Sequence, residues 1–192
     1  MKKTLAFLLM LSLAVISSAS AQSSPDYYNR WFIQVNGDLG LPTGHLANAV
    51  NTGWGGEGSI GVQVDRNLDM SVESGYDTYA AKNTTFNATW NMIPLILKAQ
   101  VYGGGGRTRP YLFAGAGAAF NSQNASFGNL TASNSEVDFL GELGAGLSIG
   151  LSEQSSFFAQ VKVEMDNTSS NYSNDTPTVL VPINAGFKFA LN

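Results

Sequence analysis

Acidic side chains that could act as general acids, bases or cation ligands recur on alternate positions of apolar segments. In residues 137–151, Asp138 and Glu142 share one parity with Ser148 and several glycines, whereas Leu143 and Leu147 share the other. A helix would mix these carboxylates with leucines on a single face, but a strand sends successive side chains to opposite faces. The segment therefore predicts a strand with one apolar face and one face bearing carboxylates.

Familiar catalytic and metal-binding patterns are missing from the sequence. His45 is the only histidine and no cysteine is present, so we expect no metal site, no cofactor and no disulfide. The four glycines at 103–106 precede Arg107, but they lack the strand-to-helix context and the Gly-Lys-Ser/Thr ending of a phosphate-binding loop. We interpret them as a turn. Arg30, Arg66, Arg107 and Arg109 all fall near short turns or the start of the first strand, where they could meet anionic headgroups.

Seven further segments alternate in the same way as residues 137–151. Together they predict eight strands, joined alternately by long polar loops and short turns, which is the layout of an outer-membrane barrel with its short turns in the periplasm. The predicted fold is all-β, an eight-stranded antiparallel up-and-down transmembrane β-barrel. Pro94 cannot donate a ladder hydrogen bond, so we expect a bulge or weak pairing near it. The predicted long loops are residues 42–53, 78–89, 121–136 and 167–178.

Alternation alone leaves open whether the apolar face points into a soluble barrel or outward into lipid. Charged residues make up 12% of the chain, about half the usual share of about 25% in soluble domains. The polar parity is rich in glycine and poor in the lysine, glutamate and threonine of a solvated sheet. The composition therefore favours a membrane barrel. The formal net charge of −4, which becomes −6 without Lys2 and Lys3, argues against nucleic acid as a partner.

On this interpretation, the strand-borne charges line the lumen. An eight-stranded barrel is just wide enough to be filled by side chains, and buried charges must pair. We expect a packed polar core, with a narrow pore lined by carboxylates as the alternative. Glycines of the fifth, sixth and eighth strands leave room for long side chains. The predicted lumen network comprises Asp38, Glu57, Glu73, Asp77, Lys98, Asp138, Glu142, Lys162, Glu164 and Lys188.

Aromatic residues cluster at the predicted strand ends, where girdles lie at the two membrane interfaces. One set lies beside the long loops and the other beside the short turns or the termini. The predicted girdle comprises Trp31, Trp54, Trp90, Tyr102, Tyr111, Phe120, Phe139, Phe157 and Phe189.

The N-terminal residues have the pattern of an export signal. Lys2 and Lys3 precede an apolar stretch at residues 5–16, and Ala19-Ser20-Ala21 resembles a cleavage site. We expect a signal peptide at residues 1–21, cleavage after Ala21, and one outer-membrane barrel domain at residues 22–192. The double-lysine start is typical of Gram-negative bacterial export, and without cysteine no lipoprotein anchor is expected.

Residues 110–117, Pro-Tyr-Leu-Phe-Ala-Gly-Ala-Gly, resemble a strand of the small eight-stranded outer-membrane β-barrel domain family, the OmpX-like and opacity-protein-like group. Ile93-Pro94-Leu95 before Lys98 and residues 151–154 are also similar to that family. The resemblance implies a monomer in the outer membrane, in contact with its lipid, whose loops meet the outside world in adhesion or in resistance to host defences. The chain departs from the family at its end, because Asn192 replaces the usual final aromatic residue.

Three functions remain open from the sequence. We favour a structural or surface-interaction protein that contacts an extracellular ligand or host surface through its Asn/Ser/Thr-rich long loops. The first alternative is a narrow passive, porin-like channel for small solutes. The second is a lipid-modifying enzyme at the barrel rim with His45 as its base, although we expect no enzymatic activity.

Overall fold

The computed structural model describes residues 30–44, 46–82, 87–127, 130–166 and 178–191, with the side chains of residues 87, 125–127 and 130–132 excepted. The signal peptide prediction, His45 and residues 167–177 of the last long loop lie outside these ranges. No helix among the described residues is long and apolar enough to cross a membrane.

Eight antiparallel strands close into a single barrel, as the alternation predicts. Each strand pairs with its neighbours in sequence, and β1 pairs with β8 to complete the circle. The strands are β1 Arg30–Pro42, β2 Gly53–Asp65, β3 Leu68–Ala80, β4 Asn87–Tyr102, β5 Thr108–Phe127, β6 Leu130–Gly150, β7 Ser155–Asp166 and β8 Thr178–Ala190. One short helix, α1 at Leu46–Ala49, lies between β1 and β2.

Short turns join β2 to β3, β4 to β5 and β6 to β7, and we call their end of the barrel the short-turn end. The opposite end carries the connections between β1 and β2, β3 and β4, β5 and β6, and β7 and β8, and we call it the long-connection end. Both chain termini of the barrel lie at the short-turn end, since β1 begins there and β8 ends there.

The apolar parity faces outward around the barrel. Leu143 and Leu97 are each 58% exposed, whereas Lys162 and Glu164 on the other parity are each 1% exposed. A soluble barrel would reverse these values, because its leucines would fill the interior. An isolated exposed apolar side chain needs no explanation, but a continuous apolar belt around a protein indicates contact with lipid.

The long loop expected at residues 121–136 is not a loop. β5 and β6 pair without interruption from Asn121↔Glu136 to Phe127↔Leu130, and β4 extends the same sheet through Asn87↔Ser126. The prediction was wrong because strands were recognised by an apolar residue at every second position. A strand that extends beyond the lipid has no apolar face to bury and does not show this pattern. The inter-strand pairing continues there between mainly polar residues.

The loops expected at residues 42–53 and 78–89 are also shorter than expected. Thr78–Ala80 belongs to β3, and residues 87–89 belong to β4. The connection at residues 43–52 contains α1, and its Val50 forms an isolated bridge to Ala81. Near Pro94, the pairing of β3 with β4 is interrupted between Ser74↔Leu95 and Asp77↔Met92, but the register is unchanged. The expected weak pairing is therefore present without a bulge.

Candidate functional site

The candidate site is the barrel lumen, where three layers of side chains follow one another along the barrel axis. An apolar layer lies towards the long-connection end, a glutamate–lysine layer lies in the middle, and an aromatic layer lies at the short-turn end. Each layer takes residues from several strands, because the same parity points inward on every strand.

The apolar layer closes the lumen at the long-connection end. Met92, Ile96 and Leu140 in this layer are at most 1% exposed, and the Tyr79 ring fills the space beside Gly40 and Gly53. Trp90 packs against the layer and its ring lies 4.9 Å from that of Tyr79. The layer comprises Val50, Tyr79, Met92, Ile96, Ala119, Leu140 and Leu180.

The glutamate–lysine layer is centred on the ammonium group of Lys162, on β7. This group donates a hydrogen bond to Glu57 and lies 2.8 Å from Glu164 Oε1, 3.5 Å from Glu142 Oε2 and 3.8 Å from Glu73 Oε1. The four glutamates come from β2, β7, β6 and β3. One cation therefore joins four strands through the interior, and all five side chains are almost fully buried.

Lys98 is a second cation of this layer. It forms an ion pair with Glu73, and its ammonium group lies 5.2 Å from the centroid of the Phe113 ring. Glu73 thus accepts from Lys98 and also lies near Lys162, which links the two lysines through one carboxylate. Amide groups extend the network, because Asn36 Nδ2 and Asn184 Nδ2 donate to Glu57 Oε2 at 2.9 and 3.0 Å.

A smaller polar cluster lies within the apolar layer. Asn121 Nδ2 donates to both Asp138 Oδ2 at 2.9 Å and Asp166 Oδ2 at 2.8 Å, and Asn121 Oδ1 accepts from Trp90 Nε1 at 3.1 Å. This single amide therefore joins β4, β5, β6 and β7 near the long-connection end.

The aromatic layer closes the lumen at the short-turn end and consists of Tyr102, Tyr111, Phe113 and Phe158. Tyr111 donates from its hydroxyl to Gln160 Oε1 at 3.0 Å. Tyr102 accepts from Gln100 Nε2 at 2.7 Å and from Lys188 Nζ at 3.2 Å.

Two glycines make room for this aromatic layer. Phe113 is directly opposite Gly144, and Tyr111 is directly opposite Gly146, in the β5–β6 register. A Cβ at Gly144 would lie 2.4 Å from Phe113 Cζ, so the large ring requires a residue without a side chain beside it.

The structure places nine of the ten predicted lumen residues in the buried interior, and Lys188 is partly buried near the short-turn end. The prediction omitted Asp69 and Asp166, which are also buried. Asp69 pairs with Lys188, and its parity with Glu73 was visible in the sequence. Asp166 follows Lys162 and Glu164 at every second residue, so the same parity would have found it if the seventh strand had been extended by one residue.

Three members of the predicted girdle face the lumen instead of lipid. Trp90 packs against the apolar layer, whereas Tyr102 and Tyr111 are 6% and 3% exposed within the aromatic layer. The girdle prediction was wrong for these residues because it used position along the strand and disregarded parity. Trp31, Trp54, Phe120, Phe139 and Phe189 are exposed on the outer surface, and Phe157 is partly exposed beside Phe187.

No group of three or more His, Cys, Asp or Glu side chains with a geometry suited to a metal ion occurs within the described ranges. The clustered glutamates instead surround lysine ammonium groups. Among the same residues, nine buried carboxylates face three lysines, which makes the lumen strongly acidic. The buried acids are Asp38, Glu57, Asp69, Glu73, Asp77, Asp138, Glu142, Glu164 and Asp166.

Solved structures with the same closed eight-strand arrangement are outer-membrane proteins. Neisserial surface protein A is 15% identical with a TM-score of 0.64, and the match covers 84% of this chain and 97% of that protein. A major outer membrane protein of Thermus thermophilus is 13% identical with a TM-score of 0.62, over 84% of this chain and 99% of that one. The chain has the fold of the small eight-stranded outer-membrane β-barrels.

Ail, the attachment invasion locus protein of Yersinia pestis, has the same fold at 11% identity and a TM-score of 0.54, over 85% of this chain and all of that one; it was crystallised with the heparin analogue sucrose octasulfate. No protein-family model and no curated protein matches the sequence. The resemblance seen in residues 110–117 is confirmed as one of fold. The outward apolar face is the face that contacts lipid in a transmembrane barrel of this kind.

Proposed function

We propose that the mature chain, residues 22–192, is a monomeric outer-membrane protein whose packed barrel supports a surface-interaction site at the long-connection end. The observation that carries this proposal is that the barrel is filled and not open. Apolar side chains at one end, the glutamate–lysine layer in the middle and aromatic side chains at the other end occupy successive levels of the lumen.

The packed lumen argues against the channel alternative. Passage of a solute would require Lys162 to leave four carboxylates and the apolar layer to separate, and both are costly in a closely packed interior of low dielectric constant. The enzyme alternative depends on His45, which lies outside the described residues.

The extended β5–β6 hairpin is the strongest candidate for the interaction surface. Its strands continue beyond the lipid belt in a hydrogen-bonded sheet with β4, so the surface it presents is ordered by backbone pairing. Ser133, Asn134 and Ser135 are exposed there. Among the described residues, Lys82 is the one lysine or arginine near this end, so we expect the partner to be polar and uncharged, and not a polyanion.

Stepwise shortening of this hairpin tests the proposal. Replacing residues 125–132 with Asn-Gly leaves the pair Asn124↔Ser133 beside the turn, and replacing residues 123–134 leaves Ser122↔Ser135. Cells that display each variant are tested for adhesion to epithelial monolayers, with heat-modifiable gel mobility confirming that the barrel has folded. We expect adhesion to fall with each step. Adhesion equal to that of cells lacking the protein, even for the unaltered chain, would contradict the proposal.

Single-channel recording tests the packed barrel separately. Folded protein in planar bilayers should show no stable conductance, and Glu142→Gln should leave that result unchanged. Regular conductance steps that respond to Glu142→Gln would favour the channel instead.

A further inference from the structure

The short-turn end has a cavity that the surface-interaction proposal does not use. It measures about 190 Å³ and lies between the turns that follow β4 and β6 and the end of β8. Arg107, Arg109 and Lys188 contribute to its wall together with Tyr102, and serine hydroxyls of the β6–β7 region complete it. We call it the mouth cavity.

The positive charge of the mouth cavity contrasts with the acidity of the rest of the protein. All four arginines of the sequence, Arg30, Arg66, Arg107 and Arg109, lie at the short-turn end. Two of them line the cavity, whereas the lumen above it is dominated by carboxylates. Glu153 also lines the cavity, but it is exposed on the β6–β7 turn, where water screens its charge.

Arg109 is held in a fixed position with donor capacity remaining. One terminal nitrogen, Nη2, donates to the Arg66 carbonyl at 3.0 Å and to Asn67 Oδ1 at 2.7 Å, and the guanidinium lies 4.6 Å from the centroid of the Tyr102 ring. Its Nε is buried and has no hydrogen-bond partner among the described residues. A buried donor without a partner is costly, and a guanidinium held in this way is preorganised for an oxyanion.

The two other cations are also positioned by contacts. Arg107 Nε donates to the Gly150 carbonyl at 2.7 Å, which fixes this side chain beside the start of the β6–β7 turn. Lys188 binds Asp69 and the Tyr102 hydroxyl, and its ammonium group lies 4.0 Å from the Phe32 ring centroid. An ammonium group has three N–H donors, so a third donor remains for a ligand.

We propose that the mouth cavity binds the phosphate group of a small molecule or of a phospholipid headgroup at the adjacent membrane surface. Two arginine forks and an ammonium group match a compact, multiply charged oxyanion. The volume is smaller than that of most drug-sized pockets, which favours a ligand such as a phosphorylated glycerol. The site lies at the end opposite the hairpin and is independent of the adhesion proposal.

The test uses the folded chain in octyl glucoside, a non-ionic detergent without phosphate. Glycerol 3-phosphate is titrated at constant ionic strength while the arginine Nε–H signals are followed by nuclear magnetic resonance, with neutral glycerol as the ligand control. Arg109→Gln and Arg107→Gln remove one charge each from the cavity. Arg30→Gln is the matched control, because it removes an arginine from the same end outside the cavity wall.

We expect a saturable shift of the Arg109 signal with glycerol 3-phosphate and none with glycerol. The half-saturation concentration read from the Arg109 signal should rise at least about tenfold in Arg107→Gln, which retains the contacts of Arg109 with the β2–β3 turn. In Arg109→Gln it is read from the Arg107 signal and should rise by at least as much. Arg30→Gln should change it by less than about twofold. Heat-modifiable mobility shows that each variant is folded.

The lipid source is tested in nanodiscs of phosphatidylglycerol and of the phosphate-free lipid digalactosyldiacylglycerol. If the Arg109 signal shifts in phosphatidylglycerol nanodiscs but not in digalactosyldiacylglycerol nanodiscs or with glycerol 3-phosphate, the ligand is a lipid headgroup. If the signal responds to glycerol 3-phosphate in octyl glucoside, the site also accepts a soluble molecule. The proposal is overturned if neither probe gives a saturable shift, or if Arg30→Gln weakens binding as much as Arg107→Gln.

Discussion

Lys162 on β7 donates a hydrogen bond to Glu57 on β2, although these two strands share no backbone pairing. The contact crosses the lumen, so the interior is stabilised by side chains in addition to the inter-strand ladder. Because Lys162 also faces Glu73, Glu142 and Glu164, the register of several strands is coupled to the position of one ammonium group.

Lys162→Met should strongly destabilise the barrel. Removing one partner leaves four buried glutamates without their shared cation, which typically costs about 3–5 kcal/mol. The free energy of unfolding by urea in detergent or lipid vesicles measures the effect. Lys82→Met, at an exposed lysine, is the control and should change stability by no more than about 0.5 kcal/mol. Adding Glu57→Gln and Glu164→Gln to Lys162→Met should restore part of the lost free energy of unfolding. If Lys162→Met is as stable as the unaltered chain, the network contributes nothing to stability.

Gly144→Ala and Gly141→Ala test the packing of the aromatic layer with two glycines of one strand. A Cβ at Gly144 would lie 2.4 Å from Phe113 Cζ and 2.5 Å from the Val161 carbonyl oxygen, whereas a Cβ at Gly141 meets its first neighbour at 3.9 Å. Overpacking costs about 1–3 kcal/mol, so we expect Gly144→Ala to lower the free energy of unfolding by that amount and Gly141→Ala to be nearly neutral. Phe113→Leu should partly rescue Gly144→Ala. Equal effects at the two glycines would argue against a tightly packed lumen.

Leu143→Arg tests the lipid face. Leu143 is exposed at mid-height on β6, and arginine at the middle of a bilayer costs about 2–4 kcal/mol in a membrane barrel. Val137→Arg, on the same face nearer the long-connection end, should cost only about 0–1 kcal/mol. Folding into vesicles followed by urea titration measures both. A smaller loss for Leu143→Arg than for Val137→Arg would contradict the assigned depth.

Tryptophan quenching distinguishes the outer surface from the lumen. Trp54 and Trp31 are 66% and 55% exposed on the outer face, whereas Trp90 packs inside and donates to Asn121. In single-tryptophan variants folded into brominated lipid, we expect strong quenching of Trp31 and Trp54 fluorescence and little quenching of Trp90. Strong quenching of Trp90 would show that it belongs to the aromatic girdle and not to the apolar layer.

The sequence was sufficient for the strand number, the antiparallel order and the two faces, because a period of two repeats in every segment and the low charge favours lipid over water. Parity alone also places Lys162, Glu164 and Glu57 on the inner face. It does not show which of them meet, since contacts across the lumen depend on strand tilt and stagger, which no single strand encodes.

Two wrong predictions, for the aromatic girdle and for the loop at residues 121–136, have the same cause. Each used one property of the sequence where two were needed. Tyr102 and Tyr111 are at strand ends, as girdle residues are, but they share parity with Gln100 and Phe113 and therefore point inward. Residues 121–136 are polar, as loops are, but pairing with a neighbouring strand is sufficient to keep them extended. Polarity marks where the lipid ends and does not mark where a strand ends.

The β5–β6 hairpin is paired without a break from Asn121↔Glu136 to Phe127↔Leu130. It therefore extends from the barrel as a continuous β-ladder and not as a flexible loop. A force applied to its upper part is transmitted to the barrel through consecutive backbone hydrogen bonds between β5 and β6. Its reach above the bilayer is then set by counting residues, at roughly 3.3 Å for each one along a strand before tilt is considered. Lengthening or shortening it by whole pairs of residues would raise or lower the contact point relative to the membrane surface.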